Sequence, residues 1–171
     1  LHGIWSWVSD ENRKTIVDFI RRKLRVGGVV YISYNTMPGW AAFAPIRHLL
    51  SEHTDTLGIK GAGIVNRIQS ALGFTESLIE TNPLFSSVNL SVKERLNQLK
   101  TLDPHYIAHE YLNGNWNPMY FSTITKWMED AKLTFACSAN LKEHIDEINL
   151  TQQQQALLGE IHDLTFKETT R

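Results

Sequence analysis

Residues 10–40 carry the pattern that restricts the fold most. Ile16, Val17, Ile20 and Leu24 recur at helical spacing. Ser9 stands where a hydroxyl caps the first free amides of a helix. Asp10 and Glu11 then lie at the positive end of the helix dipole, and Arg21, Arg22 and Lys23 at its negative end. Gly27 and Gly28 stop the helix. "VVYIS" (29–33) follows, a β-branched run of strand type, and "YNTMPGW" (34–40) turns away from it. Helix, glycine stop, strand and turn make half of a βαβ unit. In open sheets of that kind, ligands sit at strand ends.

Residues 41–104 follow another rule. Helical spacing runs through 41–54 and 61–81, with Pro45 in an early turn, Gly73 a weak point and Pro83 in a loop. "SVKERLNQLKTL" opens on Ser91 and Glu94 as a capping-box pair, and Asp103-Pro104 closes it. Nothing in this stretch alternates as a strand. Beyond it "HYIAHEYL" (105–112) reads as a strand. Residues 121–131 read as a helix capped by Ser122 or Thr123, and "KLTFACSA" (132–139) as a strand. The expected class is α/β, mostly helical by content. Four regions are expected: 1–40, a helical insertion at 41–104, a strand-helix-strand return at 105–140, and a helical tail at 141–171.

Composition narrows the function classes. Lys and Arg total 17 against 18 Asp and Glu, a net charge of −1, so a general nucleic-acid or anionic-membrane partner is not expected. No helix pairs a basic face with a short turn as a helix-turn-helix requires. No apolar run approaches the ~20 residues that span a bilayer, so membrane insertion is not expected. The lone Cys137 fits a reducing, cytoplasmic compartment and reads as a small buried strand residue. Leu1 opens the chain in place of Met, and the chain is read as a piece of a longer polypeptide.

The chemistry-bearing residues mostly favour plain readings. In "KGAGIVNR" (60–67) Gly61 and Gly63 lack the strand and the closing residues of a phosphate loop, so they mark a helix start. His105 and His109, if on a strand, lie ~13 Å apart, too far for one metal, and no metal site is expected. Ser6, Ser33 and Cys137 sit in no nucleophile signature. The aromatics Trp5, Trp7, Tyr31, Tyr34 and Trp40 crowd the first forty residues. They either seal a core or interface, or mark two neighbouring strand-end loops, "HGIWSW" and "YNTMPGW".

"HGIWSWVSDENR" from His2 and "GGVVYISYNTMPGW" from Gly27 resemble S-adenosylmethionine-dependent methyltransferases that carry a methyltransferase regulatory domain, a family that includes bacterial protein lysine methyltransferases. "HEYLNGNWNPMYFSTITKWMEDAKLTF" and "LLGEIHDLTFKETTR" resemble its later part. The resemblance implies a partial Rossmann-like methyltransferase sheet: 1–40 would hold the end of its fourth strand, a helix and its fifth strand. It implies S-adenosylmethionine as cofactor of the parent protein, a methyl acceptor such as protein lysine, and a homodimer formed through the helical insertion. The acidic GxG turn that binds the cofactor is not found, so appreciable binding by this chain is not expected.

On that resemblance His2, Tyr34 and Asn35 are the candidate catalytic residues. His2 would lie near the sulfonium or handle a proton, while Tyr34 and Asn35 would hold the acceptor amine. Trp5, Trp7 and Trp40 would be walls of the acceptor site, with His109 a further contact. The competing class is a non-catalytic dimerisation or partner-docking module, using Phe43, Leu49, Ile64, Ile68 and Phe85.

Overall fold

The computed structural model describes residues 1–58 and 61–171. In chain order, a 3-10 turn (Trp5–Trp7) precedes α1 (Asp10–Lys23), α2 (Met37–Trp40), α3 (Ala44–Thr56), α4 (Ile64–Glu80), α5 (Leu84–Val88) and α6 (Ser91–Leu99). Then come α7 (Pro104–Tyr111), α8 (Phe121–Glu129), a second 3-10 turn (Leu141–His144), α9 (Asp146–Asn149), α10 (Gln152–Gly159) and α11 (Leu164–Thr170). The chain divides into two compact units, one formed by Leu1–Thr36 with Asn117–Arg171, the other by Met37–Trp116.

In the first unit α1 forms where its sequence places it, but it ends at Lys23 with Leu24 extended, ahead of the Gly27–Gly28 pair expected to stop it. The Ser9 hydroxyl accepts from the Asn12 amide at 3.4 Å, and the acidic start and basic end complement the dipole. Val17 and Ile20 are buried in a core with Trp5, Met119, Ile124, Met128 and Ala131. Val30, Ile32 and Tyr34 pack against that core, whereas Val29 and Tyr31 are 82 % and 49 % exposed. The period-2 alternation of a strand is therefore present in residues 29–34.

The sheet is not. Among the described residues no β-strand forms, and the α/β class and its Rossmann-like sheet are corrected to an all-helical fold with extended connections. The physical reason is pairing. Leu1 donates its amine to the Tyr31 carbonyl at 2.8 Å and accepts from the Ser33 amide at 2.9 Å. One parallel bridge joins Thr36 to Met119. Isolated rungs do not make a ladder, and β-type residues specify a half-buried pleated surface rather than a sheet. Residues 132–139 are likewise corrected: they form no strand, and Cys137 is exposed rather than buried.

The second unit packs α4 against α3 and α7. Its core contains Trp40, Phe43, Ile46, Leu50, Ile68, Ala71, Val92, Leu96, Leu99, Ile107 and Tyr111. Of residues 105–112, expected as a strand, 105–111 lie on helix α7 and Leu112 is its C-cap. Asp103 caps it, accepting from the amides of His105 at 2.7 Å and Tyr106 at 3.4 Å, with Pro104 in the first turn. The Asp-Pro pair starts this helix and does not merely end the preceding one. Ile107 and Tyr111, four apart, are its buried face.

Two expected caps differ. Leu90, not Ser91, is the N-cap of α6, and no capping box closes there. Tyr120, not Ser122 or Thr123, caps α8, without a side-chain bond. Pro45 lies in the first turn of α3, and Gly73 sits inside an unbroken α4. Gly63 caps α4 and Gly61 has φ +93°. Lys60, which opens the expected glycine stretch, and Ile59 lie outside the described residues.

Candidate functional site

Two of the aromatic segments meet in the first unit through a polar knot. Ser6 is fully buried. Its hydroxyl accepts from the Asn35 amide at 2.7 Å, and its carbonyl accepts from the Asn117 amide at 2.8 Å. The Asn35 carbonyl accepts from the Met119 amide at 2.9 Å. "HGIWSW", the start of "YNTMPGW" and residues 117–119 are thus held together by main-chain bonds around one hydroxyl. Ser6 has no nucleophile's setting, since its oxygen is buried and already engaged.

His2 lies beside Tyr31 and Ser33. Its Nδ1 is 3.1 Å from Ser33 Oγ and 3.3 Å from the Tyr31 hydroxyl, and its ring stacks on Tyr31 at 6.0 Å. Ser33 Oγ accepts from the Gly3 amide at 3.0 Å, so its own proton is free to be donated to His2. Either ring tautomer satisfies these contacts, because the Ser33 and Tyr31 hydroxyls both donate and accept.

Asn35 leaves its side-chain Nδ2 buried with no hydrogen-bond partner among the described residues. An unpaired buried donor is unfavourable by ~1–3 kcal/mol, and a ligand oxygen or nitrogen lone pair would relieve it. Tyr34 packs half-buried against the first core, and burial holds its phenol above the ordinary tyrosine value. It therefore stays protonated at neutral pH, able to donate and accept.

Trp5 is fully buried. It meets Trp127 edge-on at 5.8 Å, and its carbonyl accepts from Arg13 Nε at 3.0 Å. Trp7 closes the same 3-10 turn and is half-buried. Trp40 and His109 belong to the second unit. Trp40 is 7 % exposed and packs on Phe43, Tyr111 and Trp116. His109 is exposed on α7. With α7 helical, His105 and His109 share a helix face, so the distance argument made for a strand does not apply. No group of three or more metal-ligating side chains occurs among the described residues.

Arg13 went unnoticed in the sequence. It is 2 % exposed, bonds Asp10 at 2.6 Å as well as Trp5, and its guanidinium carbon lies 6.0 Å from the Trp5 ring centre. The signal was there: Arg13, Val17, Ile20 and Leu24 share one helix face.

Residues 103–171 match a family model described as "Predicted methyltransferase regulatory domain". The matched stretch takes in α7, α8 and the helical tail. Over its whole length the chain is 44 % identical to an uncharacterized protein of Synechocystis, of which it covers 33 %. It is 29 % identical over 120 residues, 70 % of the chain, to an uncharacterized protein of Rickettsia prowazekii, of which it covers 47 %. The chain therefore spans from a third to about half the length of these relatives. The fold is shared with PKMT2 from Rickettsia typhi, solved in complex with AdoHcy, at a TM-score of 0.75 and 22 % identity, covering 98 % of this chain and 31 % of that one. No helix among the described residues is long and apolar enough to cross a membrane.

Proposed function

We propose that this chain supplies the acceptor-side loops and a regulatory, subunit-pairing region of an S-adenosylmethionine-dependent methyltransferase whose acceptor is protein lysine. The match of residues 103–171 to the regulatory-domain family carries the reading. The AdoHcy held by PKMT2, which shares this fold over 31 % of its own length, supports the cofactor class. The residues present do not fit the cofactor itself. Gly61 and Gly63 precede a helix, but no strand leads into them among the described residues, and Gly63 only caps α4. In this reading the cofactor belongs to another part of the parent protein, and the steps assigned to this chain concern the acceptor alone.

A lysine must lose a proton before its nitrogen can attack, and its ordinary pKa is ~10.4. Tyr34 and Asn35 are the positioners. The phenol oxygen and the Asn35 side-chain carbonyl accept from the amine and leave its lone pair free to attack, and the Ser6–Asn35–Met119 bonds hold the loop in place. His2, held beside Ser33 and Tyr31, would lie near the sulfonium or handle a proton. Trp7, half-buried in the same unit, keeps its proposed place beside the acceptor, whereas Trp5 is sealed in the first core and Trp40 and His109 belong to the second unit.

The test uses the full-length parent protein. Tyr34→Phe and Asn35→Ala are expected to lower turnover on lysine substrates by about 10-fold or more, as positioning and proton-handling groups do, while the melting temperature changes little. Wild-type turnover in both variants removes the reading.

A second reading, a docking or dimerisation module, is favoured by the exposure of Leu84 (78 %), Val88 (69 %) and Leu90 (81 %) around α5. Phe43 and Ile68, first assigned to that surface, are each only 2 % exposed in the second core.

A further inference from the structure

An open cavity of about 260 Å³ lies wholly within the second unit, lined by Gly39, Phe43, Ser91, Glu94, Arg95 and Gln98 among others. Its floor is an arginine on aromatic rings. The Arg95 guanidinium carbon is 3.9 Å from the Trp40 ring centre and 4.8 Å from that of Phe43. Arg95 Nη1 donates a long bond of 3.3 Å to the Gly39 carbonyl. The Arg95 charge also offsets part of the upward push that burial gives the Tyr111 phenol.

No carboxylate among the described residues forms an ion pair with Arg95. The sequence pairs Ser91 with Glu94 as a capping box, yet neither side chain caps α6. Both line the cavity instead. A guanidinium, a carboxylate, a hydroxyl and the Gln98 amide thus face one small space.

That set selects its ligand. A guanidinium already held over aromatic rings is pre-organised for a carboxylate, which it grips with two parallel bonds. Glu94 on the same rim repels a dianion such as phosphate and attracts an ammonium. The volume lies just below the ~300–1,000 Å³ of ordinary ligand pockets, so the ligand is small. We propose that this cavity binds a free amino acid as its zwitterion, carboxylate on Arg95 and ammonium toward Glu94.

The test is an NMR titration of the chain with a panel of free L-amino acids, with acetate and inorganic phosphate as controls. It follows the indole N–H of Trp40 and the Nε–H of Arg95. At least one amino acid is expected to shift both signals saturably, with acetate at least ~10-fold weaker because it lacks the ammonium. Glu94→Gln is expected to weaken binding by about 10-fold, and Arg95→Lys to abolish it, since lysine cannot form the bidentate pair. Arg95→Lys keeps the charge, and Glu94 is exposed, so Glu94→Gln carries the test even if the arginine variant fails to fold. The proposal falls if no amino acid gives a saturable shift, if phosphate or acetate binds as tightly, or if Glu94→Gln binds as wild type.

Discussion

Arg13 shows how a charged residue can be part of a core. Its stem lies on the face shared with Val17 and Ile20, and its head reaches Asp10 and the Trp5 carbonyl. Arg47 repeats the arrangement in the second unit. It is 9 % exposed, stacks over Trp116 at 4.6 Å and donates to the Asn113 carbonyl at 2.5 Å, and burial lowers its pKa. Arg13→Ala is expected to destabilise the fold by about 2–4 kcal/mol, through lost packing and an unpaired buried carbonyl. Asp10→Ala should be milder, under ~1 kcal/mol, because that carboxylate is 62 % exposed. Urea denaturation of the two variants checks the contrast; equal losses would place the energy in the ion pair and not in Arg13's packing. At this scale the sequence named His2, Tyr34 and Asn35 but not the partners that hold them. Ser33 and Ser6 were weighed only as nucleophiles, and a serine's use as a bond acceptor for a distant loop leaves no local pattern to read.

Among elements, most helices are legible in the sequence and α7 is not, while the strands the sequence suggests do not form among the described residues. Ser9, Asp10 and the basic last turn marked α1 because capping and dipole effects act within one turn. Residues 29–34 were legible in their alternation, which a single segment carries, but a sheet depends on partners elsewhere in the chain. Asp103-Pro104 fits the end of one helix as well as the start of the next, and the aromatic "HYIAHEYL" suits a strand by composition, so α7 carries no decisive local signal. Thr151 and Gln154 form a capping box at the head of α10, a T-x-x-Q signature passed over inside the glutamine run. Asp103→Ala is expected to remove about 1 kcal/mol of stability, since it leaves two amides of α7 without their acceptor. Hydrogen exchange that speeds up at the His105 and Tyr106 amides would localise the loss. Unchanged exchange there would contradict the cap.

On the scale of the whole molecule, each unit has its own core, and each core holds a tyrosine whose pKa burial raises: Tyr34 in the first, Tyr111 in the second. The sign of the effect follows from linkage. A phenol that ionises later in the folded chain than in the unfolded one gives its full stabilisation below the unfolded pKa, ~10, and loses it as pH rises through the folded value. Thermal stability is expected to be flat from pH 7 to about 9 as far as these groups decide it, and to fall above about 10. Tyr34→Phe should soften that alkaline fall. A melting curve that declines identically in the variant would assign the fall to other groups. The two-unit division itself was only partly legible, because contacts between residues 1–36 and 117–171 join segments that the helical stretch separates in the chain.

The exposed position of Cys137 has a practical side. The chain holds one thiol, and it faces solvent in the folded state on an extended segment that carries no ladder bonds. A maleimide dye or spin label can therefore be attached at a single known place, on the intact fold, with no cysteine to remove first. By the same token, handling in air without a reductant would join two chains through that sulfur, so an oligomer measured under oxidising conditions must be shown to survive dithiothreitol.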